Sequence, residues 1–484
     1  MRLAPVLHVL SLVILLFAGC MLLPLGYSFF AHDAALHAYD EAIVATALCG
    51  ALLWLVTRGA KRELQIRDGF LLVALVWTVL PGFATLPLKI YLPELSFTDA
   101  YFEAVSGLTT TGATVLSGLD ALPPSINLWR GLLVWIGGMG IIVLTVAILP
   151  LLGVGGSQLY KAETPGPMKD TKLTPRITET AKGLWLVYFA VSAACLLAYR
   201  WAGMSWFDSL MHAFTTLGLG AFSSHDASFA FWDSPRVEGV AVVFMLLASI
   251  NFGTHFLAWR KLSFKPYKVD PEAKLFVGIV AASALAITIY LQAAGTYPDF
   301  AAAARYAAFN LVSVATTTGY SNADYGSWPI FAPLWMLFLG SFVTCSGSAG
   351  GGMKMIRAVV LFKQLFRELQ RSIHPRLYNP AMIAGQPIEN KVVFAVLAFA
   401  FVYVTCIALL TLVLTASGLD VISAFSAVIA CINNTGPGLG EVGPARTFAA
   451  LTDFQTWLCS FTMLLGRLEL FTLLVVLTPA FWRR

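Results

Sequence analysis

Short runs rich in glycine, threonine and asparagine interrupt this apolar chain at four places, each between two segments long enough to cross a bilayer. Two of the runs contain the tetrapeptide Thr-Thr-Thr-Gly, which ends at Gly112 and again at Gly319. Non-helical backbone at membrane depth is tolerated only inside protein or along a water-filled cavity. These runs therefore predict loops that enter the membrane and line a cavity within it.

The remainder of the chain has the composition of an integral membrane protein. Its 484 residues are 58% hydrophobic and 12% charged, whereas a soluble domain would carry roughly twice that charged fraction. The mean hydropathy is +0.77, and many apolar runs approach the length of a membrane-spanning helix. About ten spans are predicted, at residues 9–31, 41–57, 68–92, 127–153, 183–201, 238–259, 275–295, 329–362, 392–415 and 452–480.

The basic residues sort the loops by side. Of the 31 Lys and Arg residues, 24 fall at the chain ends or in the loops 58–67, 161–182, 260–274 and 354–391. The positive-inside rule places these segments and both termini in the cytoplasm. The seven cysteines lie in apolar segments without CxxC spacing, so neither a disulfide framework nor a metal site of cysteines is predicted.

The four interruptions are in register. Gly112, Ala221, Gly319 and Gly436 occupy comparable places, with intervals of 109, 98 and 117 residues, and each follows an amphipathic helical stretch. A period of this kind indicates an internal repeat. We therefore predict an all-α integral membrane protein with four pseudo-fourfold repeats of helix, pore loop and helix after an N-terminal two-helix extension. The predicted divisions are 1–67 for the extension and 68–160, 161–265, 266–376 and 377–484 for the repeats.

Four loops around one axis would turn backbone carbonyls inward, where they can replace the hydration shell of a small cation. Glycine permits the turns that aim successive carbonyls at the axis, and each preceding half-helix points its partly negative carboxyl end at the ion. The alternative is a set of extracellular turns that happen to favour Thr and Gly, which the common register argues against. The predicted filter residues are Thr110, Thr111, Gly112, Leu219, Gly220, Ala221, Thr317, Thr318, Gly319, Asn434, Thr435 and Gly436.

Nine consecutive small residues, Thr344 to Gly352, predict a break in one span below the filter, because each glycine in a helix interior costs about 1 kcal/mol against alanine. The alternative is a helix with a close-packing face of small residues, but such a face calls for glycines spaced by four. Lys354 and Arg357, just beyond the break, are either interfacial anchors or transmitters of force from the cytosol. The predicted gate residues of this break are Ser346, Gly347, Ser348, Ala349, Gly350, Gly351 and Gly352.

Arg467 is predicted to complete the gate from the middle of the final span, where an arginine is costly and usually faces water or a partner. The alternative is a structural pair with Glu469, although positions two apart lie on different helix faces. Four polar residues near the filter either brace the pore half-helices, as we expect, or draw cations to the mouth: Asp99, Glu103, Asp208 and His212.

No catalytic constellation or phosphate loop is present in the sequence, so an enzyme is not expected. The glycine runs 137–140 and 153–156 do not follow strands and are interpreted as helix-packing or helix-end glycines. Sensing of a nucleotide would therefore have to come from a partner protein.

The chain resembles the Trk/Ktr/HKT superfamily of potassium transporters, and it is most similar to the TrkH-type pore subunits. The resemblance covers nearly the whole chain. It includes the extra N-terminal helix pair and the glycine-rich break before "MKMIR". Its specific motifs are "TTTGAT" from Thr109, "HAFTTLGLGAFSSHDAS" from His212, "TTTGYSNADY" from Thr316, "NNTGPGLGEVGP" from Asn433 and "GRLELFTLLVVLTP" from Gly466.

The resemblance implies a potassium-uptake protein of the bacterial inner membrane, homodimeric, with one pore per protomer and K⁺ as the transported ion. It further implies a cytosolic ring of TrkA-like regulatory subunits that bind NAD(H) or ATP, with no nucleotide on this chain. In the family, the break in the third inner helix obstructs the cavity, and the arginine equivalent to Arg467 projects below the filter as a barrier to cations. Potassium-selective members carry glycine at the position of Gly112, where sodium-conducting ones carry serine.

One departure concerns the second loop, where the family usually has Ile-Gly-Gly-Phe and this chain has Leu-Gly-Ala-Phe from Leu219. If the turn needs a positive φ at Ala221, alanine costs about 1 kcal/mol, unless Gly218 and Gly220 absorb the change. Two alternatives therefore remain open within the class, a sodium-conducting and a proton-coupled cation transporter. A more distant alternative is a transporter of an organic solute built from inverted repeats, but these four units all begin and end on the basic side.

Overall fold

The computed structural model describes residues 3–59, 64–143, 177–376, 379–383 and 386–483. Within these ranges the elements are helices and turns, apart from one small hairpin in which Met382–Ile383 pairs with Gln386–Pro387. The all-helical membrane architecture predicted from the sequence is therefore confirmed. The glycine run 153–156 lies outside the described residues, as does most of the predicted cytoplasmic loop 161–182.

The predicted N-terminal extension is a pair of apolar helical units that pack against each other. Helices α1 (Ala4–Cys20) and α2 (Leu22–Ala31) together form a single apolar unit of 28 residues, and α3 (Leu36–Thr57) packs against α1. Helix α4 (Ile66–Tyr91) contacts both α1 and α3 and so joins the extension to the rest of the protein.

The helices that follow alternate between long apolar elements and short ones. They are α5 (Phe97–Leu108), α6 (Pro124–Val143), α7 (Ile177–Ala202), α8 (Trp206–Gly218), α9 (Pro235–Ala248), α10 (Phe252–Lys261), α11 (Lys265–Val269), α12 (Pro271–Ala293), α13 (Phe300–Ala315), α14 (Phe331–Gly340), α15 (Met355–Ile373), α16 (Asn390–Ala416), α17 (Val421–Ile432), α18 (Asp453–Arg467), α19 (Phe471–Leu477) and α20 (Pro479–Trp482).

Within the described residues, six helical units are long and apolar enough to span a membrane, or up to eight if two bent pairs each count as one span. The prediction of uninterrupted spans at 238–259 and 452–480 is wrong. Helices α9 and α10 meet at 94°, and α18 and α19 meet at 116°. The predicted span 329–362 consists of two helices, α14 and α15, separated by the non-helical segment 341–354, which agrees with the break predicted at Thr344 to Gly352.

Neither bend contains a proline, so local chain chemistry does not explain them. At the first bend the Asn251 side chain accepts the Gly253 N–H and caps α10, while the carbonyl of Ser249 accepts the Cys345 N–H at 3.1 Å. At the second bend Glu469 and Leu470 have φ values of 52° and 56°, which breaks the helix. A contact with a distant segment therefore stabilises the first break, whereas the N–H groups of 468–471 donate to carbonyls within five residues.

Four short helices, α5, α8, α13 and α17, start at a polar cap and run into the centre of the protein. The caps are Ser96, Ser205, Asp299 and Asp420, whose side chains each accept a backbone N–H from the first turn. The last seven residues of α5, α13 and α17 are all buried, as is usual for a helix that is surrounded by protein. The core thus surrounds the carboxyl ends of these helices, where the Gly/Thr/Asn-rich runs begin.

Candidate ion pathway

The four predicted filter loops converge on one place in the structure. A Cβ added to Gly112 would overlap the backbone nitrogen of Ala221 and would lie 2.6 Å from its Cα. A Cβ on Gly319 would overlap the carbonyl oxygen of Thr435, and one on Gly436 would lie 2.8 Å from the carbonyl oxygen of Thr111. Such distances leave no room for a side chain, so three of the four positions require glycine on steric grounds alone.

All four loops leave their helices by the same turn. In each loop the first or second residue after the helix has a left-handed backbone. The N–H of the residue that follows it donates to the carbonyl five positions before that donor, at 2.8–3.0 Å. This is the helix-ending pattern in which a left-handed residue satisfies otherwise unpaired carbonyls. A β-branched threonine rarely adopts such a backbone, so the surroundings must hold it there. The left-handed residues are Thr110, Leu219, Thr317 and Asn434, with φ of 57°, 56°, 59° and 54°.

The second loop differs from the others two residues further on. There φ is 77° at Gly112, 87° at Gly319 and 101° at Gly436, whereas Ala221 does not have a positive φ. The strain that a left-handed alanine would carry is therefore absent. Its methyl group instead lies among the three glycines, within 2.7–2.9 Å of where a Cβ on each would stand.

Threonine hydroxyls tie the loops to their own helices and to one another. In the first loop Thr109 contacts the Thr111 hydroxyl at 2.8 Å, and Thr316 and Thr318 repeat this contact in the third loop. The amide of Asn434 donates to the Thr111 hydroxyl at 3.0 Å, which links the fourth loop to the first. These bonds fix the relative positions of the loops without using their backbone carbonyls.

Polar residues on three of the short helices also bond to the chain that directly follows the filter loop. Glu103 is fully buried, accepts the Val115 N–H at 3.0 Å and pairs with Arg130 at 2.8 Å. His212 contacts the Ser223 hydroxyl at 3.0 Å. The side chains of Asn310 and Asn322 likewise meet at 2.6 Å. Glu103 and His212 therefore brace the loops, as expected, rather than face the outer mouth.

The fourth repeat uses a brace that sequence comparison between repeats missed. Ala427 occupies the position equivalent to Glu103, but the hydroxyl of Ser426 accepts the Leu439 N–H at 2.8 Å and makes the corresponding link. Arg130 was also missed, although it donates to Asn127 and to the Ser223 carbonyl, both at 3.1 Å. A lone arginine inside a predicted span was the available signal for it.

A cavity of about 300 Å³ opens beside the filter loops and is lined by Gly112, Ala221, Gly319, Arg130 and His225. His225 connects two carboxylates at this mouth. Its Nδ1 hydrogen-bonds Asp120, its Nε2 lies 3.3 Å from Asp208, and its ring stacks on Phe231. Burial alone would lower the pKa of His225, but the hydrogen bonds and charges of the two aspartates outweigh it and raise that pKa above its usual value.

We expect His225 to contribute more to the stability of the folded protein at about pH 6 than at about pH 8. A group whose folded-state pKa is raised contributes stability that is fully present below its unfolded pKa of about 6.5 and is lost as the pH rises through the folded pKa. The contribution should be on the order of 1 kcal/mol or less, because Asp120 is about half exposed to solvent. The measurement is the Tm of detergent-solubilised protein at both pH values.

The Tm of His225→Gln, relative to that of the parent, should be lower at about pH 6 than at about pH 8. His374→Gln is the control, since His374 is exposed on α15's carboxyl side, far along the chain from this mouth. An identical dependence of Tm on pH in the parent and in His225→Gln would contradict this contribution of His225.

The segment 341–354, which we call the intramembrane loop, packs against the inner side of the third and fourth filter loops. The N–H of Gly351 donates to the Thr317 hydroxyl at 2.9 Å, and a Cβ on Gly351 would overlap the Asn433 carbonyl oxygen. Two further glycines, Gly347 and Gly352, have φ of 72° and 75°. The alternative interpretation, a continuous helix with a packing face of small residues, is wrong because no helix covers this segment.

The intramembrane loop also follows the bend between α9 and α10. The N–H of Phe252 donates to the Gly347 carbonyl at 3.0 Å, and the Ala349 N–H donates to the Ala248 carbonyl at 3.3 Å. The two irregular segments therefore satisfy each other's backbone groups, as buried non-helical backbone must.

Arg467 ends α18 and is buried, at 2% exposure. Its guanidinium donates to the Ala349 carbonyl at 2.9 Å and to the Gly137 carbonyl at 3.0 Å, so it joins the intramembrane loop to α6. The alternative pairing with Glu469 is wrong, because Glu469 pairs with Arg357 at 2.6 Å. The predicted place in the middle of an unbroken helix is also wrong, because α18 stops there.

Lys354 and Arg357 lie inside the protein, at 6% and 2% exposure, so they are not interfacial anchors. The Lys354 amine donates to the Gly350 carbonyl, and its backbone has φ 73° and ψ 143°. That conformation is nearly restricted to glycine and costs on the order of 1–3 kcal/mol in other residues. The junction between the intramembrane loop and α15 is therefore strained.

Comparison with known proteins matches this chain to one family over most of its length. A family described as TrkH, cation transport protein, matches residues 37–483. Proteins named Trk system potassium uptake protein TrkH are 44% identical in Halomonas elongata, over all of both chains, and 43% identical in Escherichia coli K12, over 98% of each. The crystal structure of the potassium transporter TrkH from Vibrio parahaemolyticus superposes with a TM-score of 0.92, at 42% identity and full coverage of both chains.

Proposed function

The chain belongs to the TrkH family of cation transport proteins, and from this premise we propose that it takes up potassium through a gated, channel-like pore. The observation that carries the proposal is the convergence of four capped short helices, all ending in the same left-handed turn, on one narrow place. Carboxyl ends of helices are partly negative, so their meeting point favours a cation and disfavours an anion.

Backbone carbonyls of the twelve filter residues would replace the water around a dehydrated potassium ion. Two features support this role. The hydroxyls of Thr109 and Thr111 bond to each other in the first loop, as do those of Thr316 and Thr318 in the third, and the filter carbonyls take no part in these contacts. The braces from Glu103, His212 and Asn310 hold each loop against collapse.

The intramembrane loop and Arg467 would form the gate. The loop lies directly against the inner side of the filter loops, and Arg467 brings a positive charge to the same level. A cation that leaves the filter inward meets both, so conduction requires the loop to move.

The protein would work in the inner membrane as a homodimer with one pore in each protomer and both termini in the cytoplasm. The basic loops support this orientation. The name shared by the relatives, Trk system, refers to a system of components. We include in the proposal a cytosolic ring of regulatory subunits that bind NAD(H) or ATP and act on the gate.

A sodium-conducting pore is the second candidate, and Ala221 is the observation that favours it. Ala221 carries a methyl group, whereas the equivalent residue in each of the other three loops is glycine. The φ of Ala221 is not positive, whereas those of the three glycines are. An unequal ring of carbonyls discriminates less sharply between ions of different size. In that case Ala221→Gly should raise potassium flux relative to sodium.

The test is flux through purified protein in liposomes, with potassium, rubidium and sodium compared with and without a proton gradient. We expect potassium and rubidium to pass and sodium to be disfavoured. Gly112→Ser should raise sodium passage relative to potassium by about tenfold, equivalent to about 1.4 kcal/mol, because its Cβ would displace the second loop at Ala221.

Gly118→Ser is the matched control. Gly118 also has a positive φ, of 71°, but a Cβ there would meet nothing within 4 Å. It therefore carries the same backbone strain without crowding the filter, and its permeability ratio should equal that of the parent. An unchanged ratio in Gly112→Ser would remove Gly112 from the filter.

A further inference from the structure

One buried carboxylate binds both the intramembrane loop and the start of the helix that follows it. Glu272 lies in the first turn of α12 and is 2% exposed. Its Oε1 accepts the Ser346 N–H at 3.1 Å, the Ser346 hydroxyl at 3.3 Å and the Ile356 N–H at 3.1 Å. Ser346 stands near the start of the loop, and Ile356 lies in the first turn of α15, which follows the loop.

Like the bond from Arg467 to the Ala349 carbonyl, these bonds join the loop to a charged side chain outside it. Thr317, Ser249 and Phe252 contact it through neutral groups, whereas Glu272 offers a carboxylate to backbone N–H donors. Hydrogen bonds to an ionised acceptor are roughly twice as strong as neutral ones. The Ile356 N–H is also one of the donors that a helix start leaves without a partner inside the helix.

Ser346 and the start of α15 are held together although the backbone of Lys354 between them is strained. Lys354 lies between the loop and α15 with a backbone that is unfavourable for a residue other than glycine. Separating the start of α15 from Ser346 would relax that residue, so a specific interaction is needed to keep the two ends in place. Glu272 contacts Ser346 and Ile356 at the same time.

We propose that Glu272 is a positioning residue for the gate, which keeps the intramembrane loop in its obstructing conformation by binding Ser346 and Ile356 together. The inference rests on the proposed function, because it assigns a role to that same gate. Opening then requires the carboxylate of α12 to release at least one end of the loop. Movement of α12 relative to α15 is accordingly coupled to conduction.

The experiment compares Glu272→Ala with two matched variants. Glu272→Gln keeps a side-chain oxygen that can accept the same bonds but lacks the charge. Asp270→Asn removes another buried charge at the same end of α12 and can keep the helix cap. Asp270 contacts Thr254 and the start of α12, and no hydrogen bond joins it to the loop among the described residues.

Two readouts are used. One is potassium flux per folded protein in liposomes. The other is the rate at which a water-soluble thiol reagent modifies Cys345, a buried loop residue beside Ser346, in a background where the other six cysteines are replaced. The labelling rate reports release of the loop even if the protein carries no potassium.

We expect Glu272→Ala to raise both flux and Cys345 labelling by about tenfold, as loss of charge-assisted bonds would allow. Glu272→Gln should lie between it and the parent, and Asp270→Asn should match the parent. Faster labelling without faster flux would support the positioning role and would overturn the loop as the gate. Unchanged labelling in Glu272→Ala, or equal increases in Glu272→Ala and Asp270→Asn, would overturn the proposal.

Discussion

Replacing Arg467 with alanine should raise potassium flux by about a hundredfold once the intramembrane loop is displaced. A positive charge about 6 Å from a permeating cation, at an effective dielectric constant of about 20, repels it by roughly 3 kcal/mol. Arg467→Ala also removes the hydrogen bonds to Ala349 and Gly137, so it loosens the loop as well as removing the charge. Both effects act in the direction of higher flux.

Arg467→Lys separates the two contributions. Lysine keeps the charge but cannot reproduce the planar fork with which the guanidinium reaches two carbonyls. Its flux should therefore stay within a fewfold of the parent if charge dominates. Flux as high in Arg467→Lys as in Arg467→Ala would instead assign the effect to the lost hydrogen bonds.

Melting temperature is measured beside flux in both variants. Glu469→Gln provides a check on the geometry, because Glu469 pairs with Arg357 and should not couple to Arg467. If Glu469→Gln restored the stability that Arg467→Ala loses, a direct pairing of the two residues would be indicated and the barrier role would be contradicted.

Deleting residues 347–351 should raise flux by about tenfold or more and leave the potassium-to-sodium ratio unchanged. The deletion removes the backbone that contacts Thr317, Ala248 and Arg467, which is the part of the loop nearest the filter. It leaves the four filter loops and their braces untouched. Single-ion flux and the permeability ratio in liposomes are the two measurements.

Alanine substitutions within the loop refine this test. Gly351→Ala should also increase flux, since its Cβ would overlap the Asn433 carbonyl oxygen and push the loop from the filter. Ser348→Ala is the control, because among the described residues the hydroxyl of Ser348 bonds within the loop alone, to the Cys345 carbonyl. A changed permeability ratio after deletion, or a gain in Ser348→Ala equal to that in Gly351→Ala, would contradict a gate that is separate from the filter.

Several features of the candidate site follow from local chemistry and could be predicted from sequence. The start of each short helix is marked by a serine or aspartate that caps its own first turn, as at Ser96 and Asp420. Gly112, Gly319 and Gly436 stand where the backbone needs a positive φ. The break before α15 was visible because three consecutive glycines do not favour a helix.

The bends at 249–251 and 468–470 could not be predicted, because both interrupt apolar sequence without proline or a glycine run. Backbone groups at the first bend are satisfied by partners far along the chain, as when the Cys345 N–H donates to Ser249. The pairing of Glu469 with Arg357 spans 112 residues, and the residue pattern along one helix does not indicate a partner so far away. Glu272 carries no sequence signal for its role, since a glutamate at a helix start is ordinary.

The sequence by itself determined that this chain is a helical membrane protein, and it predicted which way the basic loops face and where four loops enter the membrane. Hydrophobic length, charge distribution and the backbone needs of glycine are properties of short segments, so they can be recognised without knowing the fold. Only the tertiary structure decided the backbone at Ala221, the partners of Arg467 and Glu469, and the attachment of the intramembrane loop to Glu272. In a bilayer each irregular stretch must find hydrogen-bond partners within the protein, and the partners are chosen by how the helices pack.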